Sequence, residues 1–279
     1  MKRVILMLVA LVLVIGIIVS LQMQSRRLND NTVIVLSGGS MRAVMTEIIE
    51  RYKSVSDDVI KASYGGSGVL CAQIQNTGKG DIYVCHDPFM PWAEKQGLIS
   101  EWDAVGMLDV VIITAKGNPR NIQKIEDFAM PDLRLGLGNR QYSSSGVIAY
   151  HMLEKLENFE EIQKNVRMET KGHQQRCTDV VMGALDASLV WQAVAHLFRD
   201  KLEIIPVPKD HIDAITTATY GESDLKNVKV TVGIIAGARD KEATRKFYEF
   251  VTKECRDIFP KFGFRAVPDD LEGTSSGDQ

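Results

Sequence analysis

Apolar positions along the chain follow two periods in turn, and the alternation predicts strands followed by helices. Val33–Leu36 is a short continuous apolar run of the buried-strand kind. Directly after it, Met41, Val44, Met45, Ile48, Ile49 and Tyr52 fall at i, i+3, i+4 spacing on one helical face. Val59–Ser63 reads as a second strand, Ser67–Asn76 as a helix ending before Thr77-Gly78, and Asp81–Cys85 as a third strand. Pro91–Gln96 reads as a helix stopped by Gly97. Val110–Thr114 reads as a fourth strand, closed by the turn Lys116-Gly117-Asn118-Pro119. Leu133–Leu137 opens a second series. A helix after Ser145 buries Ile148, Met152, Leu153 and Leu156; a helix over Asp179–Leu185 and strands at Ala187–Trp191 and Leu202–Val207 follow. Val228–Ile235 is a long β run, and Lys241–Cys255 is a helix with Phe247, Phe250 and Val251 inward. This alternation predicts an α/β fold with mainly parallel sheets.

The two ends depart from that pattern. Val4–Leu21 is uncharged and almost wholly apolar behind Lys2 and Arg3. As a helix it spans roughly 27 Å, nearly a hydrocarbon core. It reads as a membrane anchor or a cleaved signal; no A-x-A site follows it. No Cys directly follows it either, which excludes a lipid-modified N-terminal Cys. Arg26 and Arg27 beyond the segment blur its orientation. Gln22–Asn31 is a polar linker, and Glu272–Gln279 is a polar, flexible tail.

Composition narrows the function by exclusion. The 279 residues are 45% apolar and 25% charged, enough for a large core. A net charge of -3 gives no basic footprint for nucleic acid. The four cysteines, Cys71, Cys85, Cys177 and Cys255, form no C-x-x-C pair, so their spacing implies neither a disulfide nor a zinc site. They read as small buried hydrophobes, with Cys85-His86 as a weaker soft-metal alternative. Enzyme signatures fail one by one. Gly136-Leu137-Gly138 follows a strand, but Gln141 stands where a dinucleotide fingerprint needs its third Gly. Gly78-Lys79-Gly80 lacks the Ser or Thr of a phosphate loop, and Val69 replaces the last Gly of G-x-S-x-G around Ser67. The five His residues are scattered, with no H-E-x-x-H. The reading is a protein that is not an enzyme, with no catalytic residue, cofactor or metal assigned.

What remains is a set of uncharged donors at predicted strand–helix edges. Ser37-Gly38-Gly39-Ser40 and Tyr64-Gly65-Gly66-Ser67-Gly68 each end a strand and open a helix, and Ser143-Ser144-Ser145-Gly146 repeats the arrangement. Each carries a Ser placed to cap a helix beside bare backbone N–H groups, which is the chemistry of an anion site. For any one Ser the plain reading is an N-cap; three at equivalent edges point to a ligand.

Here the chain resembles a family. Tyr64-Gly-Gly-Ser-Gly-Val-Leu-Cys-Ala-Gln-Ile, Gly80-Asp-Ile-Tyr-Val and His86-Asp87 are similar to motifs of the molybdate-binding proteins of ABC importers. Ser37-Gly-Gly-Ser40 looks like that family's first ligand loop, and Lys261-Phe-Gly-Phe264 like its C-terminal motif. The resemblance covers roughly Thr32–Val267. It implies a two-lobed periplasmic-binding-protein fold, each lobe a mostly parallel sheet flanked by helices. Residues 1–31 would be anchor or signal plus linker, 32–114 with 232–270 the first lobe, 115–231 the second, and 271–279 the tail. It implies a monomer outside the cytoplasm, tethered or released, that takes molybdate or tungstate between its lobes and delivers it to an ABC permease. Carried over by position, Ser40 and Ser67, with Gly39 and Gly66 beside them, supply hydroxyl and N–H donors. Ser145 and Gln175 supply opposing N–H donors, and Trp191 stands where the family often has a Tyr. Arg140, Tyr142 and Arg176 are near enough in sequence to enter the cleft. Another oxyanion, a small organic anion, a metal at Cys85/His86, or a membrane-anchored ligand sensor remain alternatives on the same fold.

Overall fold

The computed structural model of the chain describes residues 31–268, apart from 141–142, 209–210, 218–219 and 239–240. The apolar segment Val4–Leu21 and the polar tail lie outside the described residues. Among those described, no helix is long and apolar enough to cross a membrane.

The first series runs β1 (Thr32–Gly38), α1 (Arg42–Tyr52), β2 (Val59–Gly65), α2 (Ser67–Thr77), β3 (Ile82–His86), α3 (Phe89–Lys95) and β4 (Ile99–Leu108). The second runs β5 (Val110–Ala115), β6 (Leu135–Gly138), α4 (Ser144–Leu153), α5 (Phe159–Asn165), β7 (Val166–Thr170), α6 (His173–Val181), β8 (Ala187–Trp191), α7 (Gln192–His196) and β9 (Leu202–Pro206). A hairpin of β10 (Ala214–Thr217) and β11 (Gly221–Asp224) leads to β12 (Val228–Ile235) and α8 (Glu242–Glu249).

The strands form two five-stranded sheets, ordered β2-β1-β3-β12-β4 and β7-β6-β8-β5-β9. In the first, β1 pairs in parallel with β2 and β3, while β12 runs antiparallel between β3 and β4. In the second, β6 pairs in parallel with β7 and β8, and β5 runs antiparallel to β8 and β9. The architecture is the α/β arrangement that the hydrophobic pattern implied, but the sheets are mixed rather than mostly parallel, because β12 and β5 each run antiparallel to both of their neighbours. The continuous apolar strands explain it: Val33, Val35, Ile82, Val84, Val230, Val232 and Ile234 are buried under the helices, as are Ile112, Ile113, Leu135 and Leu189. Helix α1 lays Val44, Met45, Ile48, Ile49 and Tyr52 on the first sheet, the face its spacing predicted. Gly78, at φ +61°, donates its N–H to Ile74 O and ends α2 as expected.

Three expectations need correction. Sheet membership changes at Asp109, not after Thr114, because the whole of β5 pairs with β8 from Val110↔Trp191 onward. The chain rejoins the first sheet at Val228 rather than Val232. The helix placed over Asp179–Leu185 instead starts at His173 and ends at Val181, with Gly183 at φ +71° beyond it. The ten-residue strand β4 has no counterpart in the periodicity, because Glu101 and Asp103 interrupt its apolar pattern. These acids sit on an edge strand, where they pair with Arg245 at 2.8 Å and Arg256 at 2.8 Å. Charge on an exposed edge also blocks pairing with other chains. All four cysteines are buried free thiols, the small-hydrophobe role expected of them.

Asp87 follows β3 and is locked to β12: its N–H donates to Lys229 O, and its Oδ2 accepts from Lys229 N at 2.9 Å. Burial nevertheless raises its carboxyl from 3.8 to about 6, against the opposing Lys229 bond. The folded state therefore holds a proton that the unfolded chain has released, and stability from this group falls as pH rises from about 4 to 6. Asp87→Asn keeps the acceptor for Lys229 N. Its melting temperature relative to wild type is expected to climb across that range in thermal unfolding. A constant difference from pH 4 to 7 would contradict this.

Candidate ligand-binding cleft

Parallel strands deliver their helices to one edge. In the first sheet β1, β2 and β3 end at Gly38, Gly65 and His86, and a helical turn follows each. In the second, β6, β7 and β8 end at Gly138, Thr170 and Trp191, again followed by helices. The two edges face each other. The His86 ring lies 5.3 Å from the Trp191 ring, and α7 packs on the 3-10 turn Gly39–Met41. Helix starts carry unpaired N–H groups and the positive end of the dipole, so this junction favours an anion.

On the first-sheet side the two Gly/Ser turns lie against one another. A Cβ on Gly38 would stand 2.7 Å from Ser67 Oγ and 2.5 Å from Met41 Cε, so any larger residue would push both side chains aside. A Cβ on Gly39 would stand 3.7 Å from Gly65 O. Ser67 is the buried first residue of α2, and Tyr83 Oη donates to its carbonyl at 2.8 Å. Gly39 and Gly66 are exposed beside it. Ser40 Oγ reaches only Met41 Sδ, a weak acceptor, at 3.0 Å. The expected capping does not occur. The cap positions are Gly38 and Met41 around Ser40, Gly66 before Ser67 and Ser143 before α4, and none makes a side-chain cap bond. The serine hydroxyls at these starts are thus not spent on their own helices.

On the second-sheet side Ser145 is buried, with its Oγ 2.8 Å from Ser143 Oγ and 3.2 Å from Arg176 Nη2. Arg176 is wholly buried on α6. Desolvation lowers its pKa to about 10, which leaves it charged at neutral pH. His173, on the first turn of α6, accepts from Trp191 N at 3.3 Å through Nδ1, which also lies 3.2 Å from Arg176 Nη2. Burial, then the nearby guanidinium and His86, hold its pKa well below the ordinary imidazole value. His86 is also lowered by burial; its Nδ1 lies 2.7 Å from Asp87 O. Both rings are therefore neutral at pH 7, and the guanidinium is the buried charge of this cluster. Gln175 is exposed on the first turn of α6, a helix that begins three residues earlier than Arg176, so its N–H is among those without a helical partner.

Arg140 and Cys85 are engaged elsewhere. Arg140 pairs with Glu154, just past the end of α4, and lies over the Tyr150 ring at 5.2 Å. Tyr142 lies outside the described residues. Cys85 is enclosed with its Sγ 3.5 Å from Thr231 Oγ1, and burial pushes its thiol far up, which suits packing rather than metal binding. Among the described residues no three His, Cys, Asp or Glu side chains gather to hold a metal. Sequence reasoning missed His173 and Tyr220. Tyr220 packs on Phe89 at 4.7 Å and Trp92 at 5.3 Å, and a Cβ on Gly68 would stand 3.4 Å from its hydroxyl. Neither residue carried a motif or a periodic signal. A separate depression of about 860 Å³ lies at the opposite, N-terminal end of β1, between Asp58, Asp81, Lys241 and Lys246; its charges are of both signs and it has no part in the junction.

The turn that holds Ser145 leaves no room for a larger residue. A Cβ on Gly146 would fall 2.4 Å from both Gly138 O and Asn139 O, backbone atoms that cannot swing aside. Gly146→Ala is expected to cost about 1–3 kcal/mol of stability, seen as a lowered denaturant midpoint. An unchanged midpoint would contradict the tight turn.

Known proteins resemble this chain in sequence and in fold. A Haemophilus influenzae relative, named only as a binding protein, is 23% identical over 230 residues, covering 82% of this chain and 88% of that protein. The molybdate-binding protein ModA of Mycobacterium tuberculosis is 23% identical over 181 residues, covering 64% and 67%. The periplasmic molybdate-binding protein of Azotobacter vinelandii matches with TM-score 0.64 at 14% identity, covering 85% of this chain and all of that one. The sulfate-binding protein SubI of Mycobacterium tuberculosis matches with TM-score 0.65 at 15% identity, covering 86% and 88%. PEB3 bound to L-phospholactate matches with TM-score 0.64 at 16% identity, covering 84% and 100%. These structures share the fold. The family model for bacterial extracellular solute-binding proteins matches residues 33–265, and the chain belongs to that family.

Proposed function

We propose that this protein captures a tetrahedral oxyanion, of the molybdate and tungstate class, between two lobes and delivers it to an ABC permease outside the cytoplasm. In this reading residues 32–108 with 228–268 form one lobe and 110–206 the other. Asp109 and the return through 207–227 act as the hinge. Ser40, Ser67, Gly39 and Gly66 donate from the first lobe, and Ser145 and Gln175 from the second, while Trp191 closes the side. The N-terminal apolar segment either tethers the protein or is removed.

The observation that carries the reading is the set of uncapped serines at facing helix starts. Hydroxyls and N–H groups there bind a dianion with short hydrogen bonds, and the dipoles offset part of its desolvation. Affinities of about micromolar to nanomolar correspond to roughly -8 to -12 kcal/mol, within reach of several such bonds. The ligand closes the lobes only so far as it binds the closed form more tightly.

Buried Arg176 favours a second reading, an organic anion with a phosphate or carboxylate group, consistent with the L-phospholactate of PEB3. Isothermal calorimetry with molybdate, tungstate, sulfate, phosphate and phospholactate separates the two. Tight binding of molybdate or tungstate is expected; preference for phospholactate selects the second reading. Failure of all five to bind would overturn the assignment of an oxyanion.

A further inference from the structure

Arg176 is a large side chain with no exposed surface, and among the described residues no carboxylate pairs with it. Its Nη1 donates to Thr170 O at 3.3 Å, Thr170 Oγ1 at 2.9 Å and Gly172 O at 3.4 Å. Its Nη2 donates to Ser145 Oγ at 3.2 Å and Leu189 O at 3.4 Å, and meets His173 Nδ1. The Nε is buried without a hydrogen-bond partner. All of these acceptors are neutral. A residue needed only to tie β7, α4 and β8 together has no use for a full charge, because burying one without a counter-ion is strongly unfavourable.

The same geometry orients Ser145. A hydroxyl oxygen accepts twice and donates once. Arg176 Nη2 fills one acceptor position, and Ser143 Oγ, 2.8 Å away, fills the other when it donates. The Ser145 proton is then left to donate away from both, at the start of α4. An anion accepting it would lie one hydroxyl away from the guanidinium, in a site of low dielectric.

We infer that Arg176 is a positioning residue that acts through Ser145, aiming its hydroxyl at the bound anion and making the cleft select by charge, dianion over monoanion. This rests on the oxyanion reading above. A fixed cation attracts a dianion twice as strongly as a monoanion at the same distance. Neutral donors alone discriminate less between them.

Tungstate and perrhenate test this, because both are tetrahedral tetraoxo anions of similar size and they differ in charge. Dissociation constants for each are measured by calorimetry on wild type, Arg176→Gln, Arg176→Lys and Ser145→Ala, with circular dichroism confirming the fold. Wild type is expected to prefer tungstate. Arg176→Gln should weaken tungstate about tenfold or more and perrhenate far less, narrowing the ratio. Arg176→Lys should keep part of the preference. A purely structural arginine would lower both affinities together, so an unchanged ratio in Arg176→Gln overturns the inference. If that variant does not fold, Ser145→Ala decides: a narrowed ratio supports the relay and a wild-type ratio overturns it. Wild type that binds neither ion refutes the molybdate and tungstate reading, and this inference with it.

Discussion

The constraint on which the molecule depends is the direction of its parallel strands. β1, β2 and β3 all finish at one edge of the first sheet, and β6, β7 and β8 at one edge of the second. A parallel strand must be followed by a crossover, and here each crossover begins with a helical turn. Six helix starts are thereby brought to the line where the sheets meet. Ligands of open α/β sheets bind at such edges because the topology leaves a crevice there and the backbone lines it with donors. The single residue Asp109 between β4 and β5 gives the chain little slack to set the sheets apart. Its carboxylate is held by Arg265 at 2.6 Å, and its carbonyl accepts from Gln192 N at 2.9 Å, so both sheets are tied to the crossing point.

Much of this was legible in the residues. Val33–Leu36, Ala187–Trp191 and Val228–Ile235 are apolar runs with little ambiguity, and the i, i+3, i+4 spacing of α1 names its buried face. Legibility failed where polar residues have structural jobs. Glu101 and Asp103 hid β4, since an edge strand carries charge that periodicity treats as loop. His173 and Gln174 open α6 without an apolar residue, so its start was placed late. The Gly/Ser turns were found from their composition, yet the sequence favoured plain caps for each serine, and only coordinates separate a capping hydroxyl from an uncommitted one.

Arg176 illustrates a different limit. An arginine in a helix is solvated by default, and nothing in its neighbours announces burial. What buries it is tertiary: Thr170 and Gly172 from the end of β7, Leu189 from β8 and Ser145 from α4 surround it. Arg140, similar in sequence terms, lies in the turn before α4, pairs with Glu154 just past the end of that helix and stays at the surface. The two arginines were equivalent candidates until their partners were known.

One feature of the junction bears on exchange rates. Trp92, Tyr220, Phe89, His86, Trp191 and His173 form a continuous row of rings, and the His86–Trp191 contact carries that row from one sheet to the other. These contacts join the two sheets through the protein's own side chains. Parting the two sheets at this junction separates these rings. Exchange of a solute held there, as proposed above, would be slowed by a desolvated aromatic contact that the solute need not touch.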